Sequence, residues 1–136
     1  MIYRLRIYKI IHLKVLLLAI VWLFSVFHVR AQDPEYRAQS LYLYKFSKYI
    51  FWPEDKITDK FRIGVFGNSP ILKELELMAS LKKAAGDLDF EIAEVDPETD
   101  NLTNFHIIYI ASSKSRQINE LNDLAANNPV LLVAER

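Results

Sequence analysis

Polar and apolar positions divide the chain into a leader and an alternating body. The run Val15-Leu-Leu-Leu-Ala-Ile-Val-Trp-Leu-Phe-Ser-Val-Phe27 is almost wholly apolar and follows a basic stretch from Arg4 to Lys14. Val29-Arg30-Ala31 places small residues three and one before a cleavage point. This layout predicts a secretory signal peptide over residues 1–31, cut between Ala31 and Gln32. Ile10 and Ile11 lengthen the apolar stretch toward an anchor, but His12 and Lys14 interrupt it, short of the about 20 apolar residues that span a bilayer. With or without cleavage, residues 32–136 are expected to be exported.

The body alternates helical and strand patterns. Asp33 and Pro34 open a helix, as N-cap and first helical residue, that runs from about Glu35 to Phe51 and stops before Pro53. Phe61 to Phe66 is a strand; Ser69 and Pro70 then cap a helix through about Ala85, ended by Gly86. Phe90 to Val95 is a strand with one apolar face, and Phe105 to Ile110 is a strand that is apolar nearly throughout. Lys114 to Ala126 is a helix, followed by the continuous apolar strand Val130 to Ala134. Strands that alternate with helices predict an α/β fold, a mostly parallel sheet with helices on both faces. The third and fourth strands belong inside the sheet and the second at an edge, which gives the flavodoxin-like order 2-1-3-4. The chain stops at Glu135-Arg136, directly after its most hydrophobic strand. The expectation is a C-terminally incomplete domain, or one paired along that edge.

On a helical wheel, the first helix has two apolar arcs. Tyr49, Tyr42, Phe46, Ile50 and Leu43 form the one expected to face the sheet. Phe51 and Tyr44 lead round to Leu41 and Trp52 in the second, with Lys45 and Lys48 interspersed. A helix on a sheet needs only one arc. The second is expected to lie under further chain or to meet a partner, which makes Leu41, Tyr44, Lys48, Phe51 and Trp52 candidate partner-binding residues.

Charge changes this picture in one respect. Lys+Arg and Asp+Glu both number 17. The five basic residues of 1–31 have no acidic counterpart there, so residues 32–136 hold twelve basic and seventeen acidic residues, about −5. Nucleic acid is thereby an unsuitable partner. The chain has no cysteine, which excludes disulfides, thiolate metal sites and a lipidated N-terminal Cys. His106 is the one histidine beyond the leader and sits in an apolar strand, where a core role is expected. Three glycines, Gly64, Gly67 and Gly86, allow neither a nucleophile elbow nor a Walker loop. Ser112-Ser113-Lys114 lacks the S-x-x-K spacing, and Asp96 to Asp100 lacks the glycine and glutamate of a calcium loop. No catalytic residue, metal or cofactor is expected.

One ligand site can still be drawn. In the order 2-1-3-4, the crevice at the carboxyl ends of strands one and three gathers Asn68 and Ser69 with Ser112, Ser113 and Lys114. Helix N-termini, hydroxyls and a lysine there would suit a small anion, unless the serines only cap their helices.

Three blocks carry a family resemblance: Tyr42-Leu-Tyr-Lys-Phe-Ser-Lys-Tyr-Ile-Phe-Trp-Pro53, Phe61-Arg-Ile-Gly-Val-Phe-Gly67 and His106-Ile-Ile-Tyr-Ile110. In these and in their order the chain resembles the YfiR-like family of periplasmic proteins. The resemblance implies a non-enzymatic regulator in the periplasm that represses an inner-membrane diguanylate cyclase, lowering cyclic-di-GMP, or serves as the input domain of a sensor kinase. The expected partners are such a signalling protein, met on its periplasmic side, and secondarily a second copy in a homodimer. The family often has a cysteine where this chain has Phe105, so redox control does not transfer. The family domain also continues past the last strand seen here, through a glycine-pair segment. The alternative reading is a periplasmic small-anion or solute-binding protein built on the two serine loops.

Overall fold

The computed structural model describes residues 33–126 and 128–135, together with positions 12, 14–16 and 18, which are helical. The expected cleavage site between Ala31 and Gln32, with most of the leader, lies outside the described residues. The chain divides into two units, Met1–Gln32 and Asp33–Arg136, and the second carries the sheet.

Helix α1 spans Pro34–Tyr49. The Asp33 carboxylate accepts from the Glu35 N–H at 3.1 Å, Pro34 holds the first turn, and Ile50 turns extended just past the end. Strand β1 (Lys60–Phe66) leads into helix α2 (Ile71–Leu81), whose first free N–H, that of Ile71, is met by Ser69 Oγ at 3.4 Å. Helix α2 ends four residues before the Ala85 expected from sequence. Lys82 is extended, Ala84 is buried with its N–H on Leu88 O, and Gly86 turns at φ 68°. Burying Ala84 and pairing Lys83 with Asp89 require this early exit.

Strand β2 (Asp89–Glu94) and strand β3 (Ile107–Ile110) follow, the latter entered through a 3-10 turn at Leu102–Asn104 that drops Leu102 into the core. The expected helix from Lys114 is split. Ser112–Gln117 is a 3-10 helix, with the Lys114 N–H on Ala111 O at 2.8 Å, and only Ile118–Ala125 is α-helical, helix α3. Three serines in the first six residues, poor helix formers whose hydroxyls compete for the backbone, account for the tighter start. Strand β4 is Leu131–Ala134.

The four strands form one parallel sheet in the order β2-β1-β3-β4, as the apolar patterns require. Phe61, Ile63, Val65, Ile107 and Tyr109 face α1 and α2, where they pack with Leu43, Ile71, Leu75 and Met78. Phe66, Ile108 and Ile110 face the other way, toward Val95, Leu102 and Leu121 of α3.

Helix α1 presents a different strip from the one its wheel suggests. Ser40, Leu43 and Ser47 are buried, while Tyr42 and Tyr49 are exposed. The two serines let the helix approach the sheet closely, and their hydroxyls are satisfied by Arg37 O and Tyr44 O one turn back, at 2.9 and 2.7 Å. Tyrosines on that strip would have to bury hydroxyls with no partner.

Gly64, in the middle of β1, has no room for a side chain. A Cβ there would stand 2.7 Å from Val95 Cγ1 and 3.1 Å from Phe105 Cδ1. Gly64→Ala is expected to destabilise the domain by about 1–3 kcal/mol, the range for overpacking. Chemical unfolding of the two proteins measures it, and equal midpoints would contradict the packing described.

Candidate functional site

The loops after β1 and β3 do meet. A Cβ placed on Gly67 would lie 2.7 Å from Lys114 Cγ and 3.2 Å from Ser113 Oγ. The five residues expected to form an anion site nevertheless divide. Ser69 is buried, and its hydroxyl serves the Ile71 N–H. The Ser112 N–H donates to the Glu135 carboxylate at 2.8 Å, so a carboxylate of the chain already sits on that donor. Asn68, Ser113 and Lys114 border the crevice.

The electrostatics there run against an anion. Lys114 sits over the Phe66 ring, 5.0 Å from its centroid. The two adjoining depressions that it lines, of about 510 and 160 Å³, also have Glu94, Asp96, Glu98 and Glu120 on their walls. One ammonium among four carboxylates leaves negative potential, and like charge at a few ångströms costs a bound anion. The Asp96–Asp100 loop is closed on itself, with Asp100 Oδ2 accepting from the Asp96 N–H and Asp96 Oδ1 from the Glu98 N–H. Among the described residues, no cluster could hold a metal ion.

His106 is fully committed. Its Nδ1 accepts from the Arg62 N–H at 3.0 Å, and its Nε2 lies 2.8 Å from Lys56 O, to which it donates. The ring stacks on Phe61 with centroids 4.3 Å apart, and Trp52 meets it edge-on at 5.7 Å. This arrangement fixes the neutral tautomer, and burial pushes the imidazole pKa down. A base whose two nitrogens are both occupied has nothing to offer a substrate.

The expected partner set also divides. Trp52 is a core residue packed on Phe61 at 5.2 Å, where the extended Ile50 turns the chain inward. Tyr44 is half-buried against Phe90, with the Lys82 ammonium over its ring, and the Lys48 ammonium donates to Ala84 O. Of the second arc, Tyr44 and Trp52 are thus covered within this chain. Leu41 and Phe51 remain exposed. Sequence reasoning missed Leu77 and Leu81 of α2, which stand exposed beside Leu41 around a depression of about 300 Å³. The signal available was two leucines four apart on the flank of the buried strip Ile71, Leu75 and Met78.

Fold and site together define a class: an α/β domain of flavodoxin-like strand order with apolar side chains exposed on its helical face and its buried histidine bonded on both nitrogens within the chain. The particular family follows from comparison. A family model described as YfiR/HmsC-like matches residues 36–136, and the chain belongs to that family. Comparison with curated proteins gives no match.

The committed imidazole makes stability depend on pH. With its folded pKa below the unfolded value of 6.5, the unfolded chain binds a proton first as pH falls. The contribution is therefore complete above about pH 6.5 and is lost below it, at up to about 1.4 kcal/mol per pH unit. The Lys56 and Arg62 cations add to the lowering, and the Asp55 carboxylate lines the same depression. Urea unfolding between about pH 7.5 and pH 5 should show this slope for the parent and a flatter one for His106→Gln.

Proposed function

We propose that the protein is an exported, non-enzymatic regulator that binds the periplasmic part of an inner-membrane signalling protein, a diguanylate cyclase or a sensor kinase. Membership of the YfiR/HmsC-like family supports that class of activity. The leader, basic then apolar and ending in Val29-Arg30-Ala31, supports export, cleavage after Ala31 and a periplasmic location. Control works through occupancy: the domain binds one state of its partner better than the other and shifts the balance by that difference in affinity.

The observation that carries the reading is the apolar surface left on the helical face. Leu41 is 42% exposed, Leu77 42% and Leu81 74%, and together they border one depression with Arg37, Glu74 and Lys82 at its rim. Phe51, 89% exposed just past the end of α1, adds an aromatic ring. An apolar centre with a charged rim is how protein-binding surfaces are built.

Leu77→Glu with Leu81→Glu tests it. Both side chains lie outside the core, so the circular dichroism spectrum and melting temperature should stay close to the parent's. Burying a leucine contributes about 1.5–3 kcal/mol, so affinity for the partner's periplasmic region should fall at least tenfold and cyclic-di-GMP repression should be lost. A folded double variant that represses like the parent would show that this face is not the regulatory surface.

A further inference from the structure

His106 is bonded twice over, once through its main chain and once through its ring. Its N–H donates to Arg62 O at 2.9 Å and its C=O accepts from the Leu131 N–H at 2.8 Å, so the backbone alone ties it to β1 and β4. The Arg62 N–H faces the same neighbour as Arg62 O, as both groups of a residue do in a parallel ladder. Its partner there is Nδ1 of the His106 ring, at 3.0 Å. The other ring nitrogen donates to Lys56 O at 2.8 Å. One imidazole therefore closes the first rung between β1 and β3 and also holds the segment that precedes β1.

That segment has few other anchors. Between Ile50 and Lys60 only Trp52 is buried. Its indole packs on Phe61 and meets the His106 ring edge-on. The indole N–H has no hydrogen-bond partner among the described residues, and a buried donor left alone is unfavourable. Ile57 is half-buried against the core, and the Lys56 ammonium donates to Thr103 O. Segments so lightly held are the ones that open locally.

A second proton breaks this arrangement at a defined bond. Neutral imidazole has one donor and one acceptor, whereas imidazolium has two donors. The bond from Nε2 to Lys56 O survives the change. The bond at Nδ1 does not, because two N–H groups then face each other across 3.0 Å. Burial first, and then the Lys56 and Arg62 cations, oppose the proton while the ring is in place. Of the carboxylates nearby, Asp55 lines the same depression, while Asp59 and Glu91 pair with Arg62 at 2.8 and 3.3 Å. A ring that swings out carries its charge into water, where the proton costs nothing unusual.

We infer that His106 is a proton-operated latch: a second proton draws its ring away from Arg62 and frees the segment Trp52–Thr58, while main-chain bonds keep the sheet assembled. Phe51, the residue before the segment, belongs to the surface proposed above, but the latch stands on contacts within the chain and is tested without a partner.

Amide exchange on the purified protein, read residue by residue by NMR, is the test. The Arg62 N–H, and those of Lys56 and Ile57 in the freed segment, should exchange at least tenfold faster than the His106 N–H, whose bond to Arg62 O the open latch retains. The open form takes its proton at about pH 6.5. Each unit below that raises its population up to about tenfold, so protection of the Arg62 amide should fall at least tenfold between pH 7.5 and pH 5. His106→Gln supplies an oxygen and an N–H that do not titrate, and its Arg62 amide should change less than about threefold over that range. Equal protection of the Arg62 and His106 amides in the parent would overturn the inference, since the ring would then open only with the whole fold. That comparison needs no variant. A parent whose Arg62 protection does not change with pH, or a variant that changes as much as the parent, would overturn it too.

Discussion

Strands β1 and β3 are buried on both faces from Ile63 to Phe66 and from Ile107 to Ile110, and everything else in the domain is arranged around that fact. Parallel strands linked by crossovers must be covered on both sides. Phe61, Ile63 and Val65 call for α1 and α2 on one side, while Phe66, Ile108 and Ile110 call for α3 and Leu102 on the other. Each covering element is shaped to this demand. Helix α1 comes close by presenting serines, α2 is cut short so that Ala84 can enter the core, and a 3-10 turn supplies Leu102 beside α3. The demand weakens at the outer strands β2 and β4, where coverage is partial.

The polar chemistry of the chain is spent holding these layers together. His106 ties the loop after α1 to β1 through Lys56 O and the Arg62 N–H, with Phe61 and Trp52 packed on its ring. The Tyr109 hydroxyl, at the far end of β3, donates to Gln39 of α1. Glu135 accepts from the Ser112 N–H across the end of the sheet. Each of these groups has a structural partner within the chain.

Much of this was legible in the residues. Continuous apolar strands, one alternating strand and helices between them dictate a parallel sheet and its order, because burial on two faces leaves a mark on composition. The edges of elements were less legible. Nothing local says that α2 stops at Leu81 instead of Ala85, since the reason is the burial of Ala84, a tertiary matter. The wheel of α1 failed for a related reason. Hydrophobicity ranks Tyr42 and Tyr49 above Ser40 and Ser47, but close approach to a sheet selects for small size, and serines that bond their own helix behave as small apolar residues. Trp52 escaped because a helical projection was extended past Tyr49, where the chain is no longer helical. At the strand ends, chain topology brought Gly67, Ser113 and Lys114 together as expected, while the sign of the potential came from Glu94, Asp96, Glu98 and Glu120, which spacing alone does not place.

The wiring of the sheet also governs when it can form. Strand β1 finds its neighbours only at Asp89–Glu94 and Ile107–Ile110, and helix α1, first in the domain, packs beside residues as late as Val133. Contacts so distant along the chain are slow to close, because the loop entropy is spent before any burial repays it. The packing of α1 is not finished until residues as late as Val133 are in place, so the last contacts of the domain form late. That lag lengthens the interval in which an incompletely folded chain can be threaded through a narrow translocation channel.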